Sequence, residues 1–507
     1  MLVRKVFENA FKSELWGFAA VSLLVFIVYV LRNYLKSIIL ALKLPGPPAV
    51  PLLGNCLLIK EKDFLRNTVS TAFGLYGSLI RVWVLFFPFF LVLQPDDLQL
   101  ILASKKHTNK TFFYRFMHNF LGNGLITRNG EQWHTHRRLI QPTFHLSFLE
   151  RFISTFADAS QSLFESLNPF DNQEINVTKY VNNCVLDILN EAVLGIPVKK
   201  KKYYTDMEKS PFRQGKLIVS QRFFKPWLLF NGIYRLTKLS SEELAQNRRL
   251  NEFTRKIVKQ RRDLKGNNNN DNEMKCLLDY MIELSDNNPR EFTEEDIVNE
   301  ACTFMLAGQD SVGAATAFTL YLLAQNDDCQ KKCWNEIEHI FGHDQRPPTM
   351  QDLREMRYLE MCIKESLRLY PSVPLLARQL GEEVRLSKYT LPAGSNVFIC
   401  PYATHRLPHI YPNPEKFIPE RFASEYNEER HPYAYLPFSA GPRYCIGNRF
   451  ALMEMKTIIS RLLRSFDILK VENKSDLTAI YRVTLRASGG LWVRLRSRES
   501  KLMVYSS

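Results

Sequence analysis

The hydrophobic residues of the chain recur mainly with helical spacing, and the most apolar run lies close to the N-terminus. Residues 15–31 form an unbroken stretch of apolar and small side chains, with Trp16 and Tyr29 near its ends. Its length is near the lower limit for a helix that crosses a bilayer, and aromatic residues favour the two interfaces. We predict a retained membrane anchor over residues 1–43, because the run is long for a signal peptide and no cleavage motif follows it.

The segment after the anchor is rich in proline. Residues 44–55 contain four prolines and two glycines, and proline cannot continue a helix. This composition predicts a stiff, extended hinge. Basic residues flank the apolar run on both sides, so the positive-inside rule does not set its orientation. Residues 56–507 show no shift in composition and are predicted to form a single large domain.

Within this domain, the pattern is mostly helical from about residue 60 to 465, with short strands near both ends. Residues 79–93 are rich in β-branched and aromatic residues and predict a hairpin. Residues 388–400 predict a strand, a Pro-Ala-Gly turn and a second strand, and residues 484–495 carry a Ser-Gly-Gly turn and a closing strand. The sequence therefore predicts a mainly α fold with small β-sheets, of the α+β class. The polar run 265–272 predicts a mobile surface loop.

One predicted helix is unusually long and has polar residues in its middle. It extends from Thr293 to Asn326, and Thr293 with Asp296 makes a capping-box start. The interior residues 307–311 read Ala-Gly-Gln-Asp-Ser. Glycine weakens a helix and a buried acid needs a partner, so we expect a local distortion with a functional purpose. A kink with a satisfied polar pair is the structural alternative.

Charge and cysteine content restrict the cellular setting. There are 67 Lys and Arg against 52 Asp and Glu, a net charge of +15, which suits an anionic partner or a solvated basic face. Without a zinc-finger or RNA-binding signature, nucleic acid is not expected as that partner. The nine cysteines show no framework spacing, which favours free thiols in a reducing compartment and a domain facing the cytoplasm.

The most informative motif is Pro-Phe-Ser-Ala-Gly-Pro-Arg-Tyr-Cys-Ile-Gly at residues 437–447. Glycines on both sides of Cys445 leave room for a flat metal macrocycle to approach its sulfur. A helical pattern begins at residue 446, so we expect the helix N-terminus to favour the thiolate. A cysteine thiolate can ligate haem iron. A buried structural cysteine in a glycine-containing turn is the alternative.

The spacing Phe-x-x-Gly-x-Arg-x-Cys-x-Gly resembles the haem-ligand signature of the cytochrome P450 family of haem-thiolate monooxygenases. It is formed by Phe438, Gly441, Arg443, Cys445 and Gly447. The resemblance implies haem b with Cys445 as the axial ligand. The proline-rich hinge is similar to that of microsomal members, and the chain most resembles the fatty-acid and insect-type branch.

The polar middle of the long helix resembles the family's oxygen-activation motif. The resemblance implies that Ser311 hydrogen-bonds dioxygen or an ordered water and that Asp310 relays protons toward solvent. Serine stands where threonine is usual, so the methyl group that helps to fix the hydroxyl is absent. Many members of this branch ester-link the haem to a glutamate at the position of Ala307, so alanine predicts non-covalent haem.

Two further sets of residues take roles from the resemblance. Glu365 and Arg368 share a helix face and, with Arg421, are expected to form the charge network that holds the cysteine loop. Trp133 and Arg137, four residues apart, are expected to hold a haem propionate, together with Arg378 and Arg443. The aromatic segment 110–125 would cover an apolar substrate pocket.

The reaction implied is insertion of one oxygen atom from dioxygen into an apolar substrate: a lipid, fatty acid, insect-type hormone or foreign compound. Electrons would come from NADPH through a flavoprotein reductase, with a cytochrome b-type protein as a further donor. The expected location is the endoplasmic reticulum or microsome membrane. The alternatives are a haem-thiolate isomerase, a peroxide-driven enzyme, a haem carrier or sensor without turnover, and a membrane-anchored helical adaptor without haem.

Overall fold

The computed structural model describes residues 2–56, 64–65, 71–197, 211–267, 275–342, 344–474 and 477–498. Most of these residues are helical, which confirms the predicted class. The α-helices are α1 (Leu2–Lys43), α2 (Ala72–Tyr76), α3 (Pro95–Leu102), α4 (His118–Leu121), α5 (Gly130–Ile140), α6 (Leu146–Leu149), α7 (Ile153–Leu167), α8 (Val177–Leu194), α9 (Pro211–Phe224), α10 (Asn231–Arg235), α11 (Lys238–Asn267), α12 (Leu277–Asn287), α13 (Glu294–Gln325), α14 (Asp327–Phe341), α15 (Met350–Glu355), α16 (Arg357–Leu369), α17 (Pro401–Thr404), α18 (Ser424–Asn427) and α19 (Asn448–Ser465). Most of the predicted polar loop, residues 268–272, lies outside the described residues.

The strands form small sheets at the periphery. They are β1 (Leu79–Val84), β2 (Phe87–Val92), β3 (Glu174–Asn176), β4 (Leu376–Gln379), β5 (Val384–Arg385), β6 (Thr390–Leu391), β7 (Asn396–Ile399), β8 (Phe466–Leu469), β9 (Thr478–Arg482), β10 (Thr484–Ser488) and β11 (Trp492–Ser497). The largest sheet has the order β1-β2-β7-β4, and β3-β11-β8 form a second. Residues 79–93 form the predicted hairpin. The strands within 388–400 instead pair with other partners, β6 with β5 and β7 with β2 and β4.

Helix α13 crosses the core and confirms the predicted long helix. At 1.5 Å per residue its 32 residues span about 48 Å, and Thr293 caps it through the backbone N–H of Asp296. The helix is continuous through residues 307–311, so the predicted distortion does not interrupt it. A Cβ atom on Gly308 would lie 2.7 Å from the side chain of Leu189 on α8. Gly308 therefore serves the close packing of α8 against α13.

The end of α1 packs directly on the β1-β2-β7-β4 sheet. The hydroxyl of Tyr34 donates to the carbonyl of Phe86 at 3.0 Å, and the hydroxyls of Ser37 and Ser395 lie 3.2 Å apart. Ala41 is fully buried in the apolar cluster on this side of the sheet. Helix α1 therefore continues into the domain instead of ending at a free connection.

The proline-rich hinge runs along strand β1. The backbone N–H of Arg81 donates to the carbonyl of Pro45 at 3.0 Å, and the side-chain amide of Asn55 donates to Pro48 at 2.7 Å. A Cβ atom on Gly46 would overlap the carbonyl oxygen of Arg81. Glycine is therefore required for the hinge to lie this close to the strand.

Candidate active site

The loop that carries Cys445 is held by local hydrogen bonds and one required glycine. The backbone N–H of Cys445 donates to the carbonyl of Phe438 at 2.8 Å. Gly441 has a φ of +68°, and a Cβ atom there would overlap the carbonyl oxygen of Leu102. At Gly447 a Cβ atom would meet only the ring of Phe144, at 3.8 Å. The protein therefore requires glycine at 441, whereas contacts within the protein do not require it at 447.

Cys445 is accessible and lines a partly open cavity. Burial raises the pKa of this thiol, against the opposing effects of the Gly447 backbone N–H and the charge of Arg137. Helix α19 begins at Asn448 with Gly447 as its N-cap, two residues later than predicted, so Cys445 lies just before the helix N-terminus. The raised pKa favours the protonated thiol. A bound metal cation would favour the thiolate instead, because coordination deprotonates a thiol.

The cavity has a volume of about 440 Å³ and mainly apolar walls. Its aromatic lining includes Phe113, Phe116, Phe120, Phe223 and Tyr481. The predicted aromatic segment 110–125 thus contributes to the wall. Strands β9 and β10 form a hairpin, called here the C-terminal hairpin, which adds Tyr481. An apolar cavity with few polar groups is typical of a site for a hydrophobic ligand.

Four cations line this cavity, and Asp310 is the one acidic residue among its lining residues. Burial lowers the pKa of Arg137 and of Arg378. The Nε and Nη2 atoms of Arg137 are buried and have no hydrogen-bond partner among the described residues. Burial, then Arg378 and Arg443, lower the pKa of Lys110 well below its usual range. Uncompensated buried cations are costly, so this group fits a ligand with carboxylates such as the two propionates of haem.

Arg443 lines the cavity and also contacts several backbone carbonyls. It donates to the carbonyls of Thr108 at 3.0 Å, Leu125 at 3.2 Å and Arg128 at 2.6 Å, and its guanidinium stacks 3.8 Å from the ring centre of Trp133. Burial, then the charge of Arg378, lowers its pKa to about 9. Arg443 therefore lines the cavity, but its main contacts tie the cysteine loop to the segment before α5.

Helix α13 brings Ala307, Asp310 and Ser311 to the same cavity. The hydroxyl of Ser311 donates to the carbonyl of Ala307 at 2.5 Å. The carboxylate of Asp310 accepts a hydrogen bond from Thr484 and forms an ion pair with Arg486, both on β10. The two expected catalytic residues are therefore adjacent to the cavity, and a hairpin contacts the acid.

The predicted charge network is assembled around a fully buried Glu365–Arg368 pair. Arg368 donates from Nε and Nη2 to both carboxylate oxygens of Glu365, at 2.7 and 2.8 Å, with neither side chain exposed. Arg421 completes the group, with its Nε atom 3.5 Å from Glu365. Arg368 also donates to the carbonyls of His405 and Pro414, at 2.9 and 2.7 Å. The network thus fixes the chain between α16 and the cysteine loop.

Three participants were not predicted from the sequence. The sequence gives no signal for Lys110, because a single lysine in an aromatic segment is ordinarily a surface residue. His405 accepts the backbone N–H of Leu436, directly before the cysteine loop, at 2.7 Å. Arg486 lies in a strand pattern with no local signal. Each becomes apparent only when distant segments of the chain are brought together.

A cysteine thiol, buried cations and an apolar cavity beside helix α13 together fit a haem-thiolate site. The cytochrome P450 family model matches residues 44–490. The chain is 63% identical over 511 residues to the probable cytochrome P450 4aa1 of Drosophila melanogaster, covering 100% of both chains. It is 36% identical over 468 residues to cytochrome P450 4V2 of Homo sapiens, covering 89% of each. Cytochrome P450 4c3 of Drosophila melanogaster is 36% identical over 511 residues, covering 96% of this chain and 95% of that one.

The chain therefore belongs to the cytochrome P450 family and, by these relatives, to its insect-type branch. Membership makes it a haem-dependent monooxygenase. Its cofactor is non-covalent haem b with a cysteine thiolate ligand, and its electrons derive from NADPH. The thiol, the cations and the small side chain of Ala307 on the cavity wall all fit this cofactor.

Proposed function

We propose that Cys445 is the thiolate ligand and that the protein inserts one oxygen atom from dioxygen into an apolar substrate. One observation supports this above all: a single cavity contains the Cys445 thiol, the buried cations and the hydroxyl of Ser311. Haem, when bound, supplies the metal centre at which dioxygen is reduced. The protein's own residues bind and orient that group, exclude water and move protons.

The cations and the loop residues would contact different parts of the cofactor. Arg137, Arg378 and Lys110 would bind the propionates through charge-assisted hydrogen bonds, which are the strong ones in a buried site. Trp133 carries the stacked guanidinium of Arg443, which positions the loop. The remaining loop residues, Phe438, Gly441 and Gly447, shape the approach to Cys445. Glu365, Arg368 and Arg421 act at a distance, by fixing the chain that leads to the loop.

Asp310 and Ser311 would supply protons for the reduction of dioxygen. A proton taken up by the Asp310 carboxylate can pass to the Ser311 hydroxyl or to an ordered water beside it. Serine lacks the methyl group of threonine, and here its hydroxyl already donates to the carbonyl of Ala307. Delivery therefore requires the Ser311 hydroxyl to rotate away from that carbonyl.

The proposed substrate class rests on the cavity walls, and the proposed electron donors rest on the net charge of the protein. Aromatic walls favour an apolar substrate such as a lipid, fatty acid, insect-type hormone or foreign compound. The net charge of +15 would suit an acidic NADPH-dependent flavoprotein reductase, with a cytochrome b-type protein as a second donor. Raising the ionic strength should then slow reductase-driven turnover.

The proposed location is the endoplasmic reticulum or microsome membrane, with the catalytic domain on the cytoplasmic side. Among the described residues, one helix is long and apolar enough to cross a membrane: Trp16–Lys43, with a mean hydropathy of 1.9. Leu52, in the proline-rich segment that follows this helix, is 80% exposed, as an apolar contact at a membrane surface would be. The nine free cysteines suit a reducing compartment. We retain residues 1–43 as anchor, 44–55 as hinge and 56–507 as haem domain.

Incorporation of labelled oxygen tests this proposal. Full-length protein, a flavoprotein reductase and NADPH are incubated with candidate apolar substrates under ¹⁸O₂, and products are examined by mass spectrometry. One ¹⁸O atom per product, dependent on reductase and NADPH, is expected. Product without added label would favour an isomerase, and product formed only with added peroxide would favour a peroxide-driven enzyme. Haem binding without any product from the substrate panel would favour a carrier or sensor.

A further inference from the structure

The side chain of Asp310 is held by two residues of the C-terminal hairpin. The hydroxyl of Thr484 donates to Oδ2 of Asp310, and the guanidinium of Arg486 pairs with Oδ1. The Asp310 side chain is 3% exposed, whereas that of Arg486 is 24% exposed. A carboxylate on the cavity wall is therefore joined to an arginine that reaches partial contact with solvent.

Two hydrogen bonds through Ser372 connect the hairpin to helix α13. The N–H of Leu485 donates to the carbonyl of Ser372 at 2.9 Å, and the hydroxyl of Ser372 donates to the carbonyl of Ser311 at 2.8 Å. The hairpin thus contacts Asp310 through side chains and Ser311 through Ser372. Both residues of the proposed proton pathway are fixed by the same unit.

The turn of this hairpin is conformationally unusual. Thr484 pairs with Arg482, which leaves Val483 alone in the turn with a φ of +69°. A β-branched residue in this region is strained, and such strain is found where the surrounding structure enforces a geometry. Val483 also lines the cavity. The tight turn places Thr484 and Arg486 on the side of β10 that faces Asp310.

We propose that Arg486 is a positioning residue for proton delivery, acting through Asp310. Arg486 holds the carboxylate against the hairpin between turnovers, and the ion pair must open for the carboxylate to hand over a proton. The carboxylate accepts that proton from solvent beside Arg486, releases it toward the Ser311 hydroxyl, and then pairs with Arg486 again. This inference rests on the proposed roles of Asp310 and Ser311.

The first experiment reads the carboxylate directly, without turnover. Full-length ferric holoenzyme is prepared with ¹³C-labelled aspartate, and infrared difference spectra compare wild type with Arg486→Met. A carboxylate band that shifts, and that is missing when Asp310→Asn is also present, is expected. Arg486→Lys should restore the wild-type band, since it keeps the charge. An unchanged band in Arg486→Met would overturn the inference.

The second experiment measures coupling, as hydrogen peroxide released per NADPH consumed. Arg486→Met should raise this ratio about threefold or more and alter the solvent isotope effect, whereas Arg486→Lys should stay close to wild type. The matched control is Arg494→Met, which removes an arginine of β11 that pairs with Glu174 on β3 and is 42% exposed. An equal rise in Arg494→Met would contradict a specific role for Arg486.

The two proposals fail separately. If Asp310→Asn leaves coupling and the solvent isotope effect unchanged, the proposed role of Asp310 is wrong, and Arg486 has no proton delivery to position. If Asp310→Asn changes both quantities but Arg486→Met changes neither, proton delivery through Asp310 stands and the inference about Arg486 is overturned.

Discussion

Arg368 and His405 hold each other through two hydrogen bonds that run in opposite directions. Nη1 of Arg368 donates to the carbonyl of His405 at 2.9 Å, and Nδ1 of His405 donates to the carbonyl of Arg368 at 3.2 Å. Because Nδ1 carries the proton, Nε2 is free to accept the backbone N–H of Leu436. The buried Glu365–Arg368 pair thus reaches the cysteine loop through one neutral imidazole.

This arrangement predicts a specific loss of stability in acid. Burial, then the charge of Arg368, lowers the pKa of His405 to about 3. An unfolded histidine titrates near pH 6.5, so below that pH the unfolded chain binds a proton that the folded chain does not. The stability that depends on neutral His405 is complete above pH 6.5 and decreases as the pH falls toward 3. Between pH 7 and pH 5 the loss should be about 2 kcal/mol.

Denaturant unfolding of the full-length holoenzyme in detergent, at pH 7 and at pH 5, measures this loss. His405→Gln removes the titrating group and keeps a polar side chain. The variant should be less stable than wild type at pH 7 but should lose about 2 kcal/mol less between the two pH values. Equal pH dependence in both proteins would contradict a neutral, strongly depressed His405.

The Glu365–Arg368 pair should be essential for folding around the haem. Arg368→Met leaves the Glu365 carboxylate buried without its bidentate partner, which costs roughly 3–5 kcal/mol. We expect low expression and little bound haem, measured as the ratio of Soret to protein absorbance. Lys331→Met is the control: it removes a surface pair with Asp327, with side chains 68% and 70% exposed, and should change little. Similar behaviour of the two variants would argue against the network.

Variants of two neighbouring arginines of α5, Arg137 and Arg138, distinguish propionate binding from a general effect of positive charge. Arg137 has buried donor atoms without partners, whereas Arg138 is 70% exposed and lies 3.4 Å from Glu291. Arg137→Met should accelerate haem loss to apomyoglobin about ten- to a hundredfold, because a charge-assisted hydrogen bond is removed. Arg138→Met should lose haem at the wild-type rate. Unchanged haem loss in Arg137→Met would remove this residue from the cofactor site.

Two glycines of the cysteine loop should respond differently to the same methyl group. At Gly441 a methyl group overlaps the carbonyl of Leu102 and the backbone has a positive φ, so Gly441→Ala should yield little folded protein. At Gly447 a methyl group meets only Phe144 within the protein. Gly447→Ala should therefore fold, as judged by circular dichroism, but retain less haem. Full haem occupancy in Gly447→Ala would contradict close approach of the macrocycle at this position.

Features carried by consecutive or helically spaced residues could be predicted from the sequence. The apolar N-terminal helix, the capped helix α13 and the Glu365–Arg368 pair belong to this class, since spacing alone determines which side chains share a face. Gly308 shows the limit of such local patterns. A glycine within a helix signals either strain or close packing, and only the position of Leu189 on α8 decides between them.

Features that join distant segments could not be predicted. Thr484 contacts Asp310 across 174 positions, and Arg443 contacts the carbonyl of Thr108 across 335. No local pattern encodes such contacts, because they depend on how helices and hairpins pack. The residues between 388 and 400 show the same limit: the strands were predicted, but their partners lie elsewhere in the chain.

The central claim is that Cys445 ligates haem iron as a thiolate. The most direct test is the absorption spectrum of the reduced, carbon-monoxide-bound full-length protein, compared between wild type and Cys445→Ser. A strongly red-shifted Soret band in wild type, lost in the variant, is the predicted result. A histidine-type band in wild type, or a red-shifted band that persists in Cys445→Ser, would contradict it.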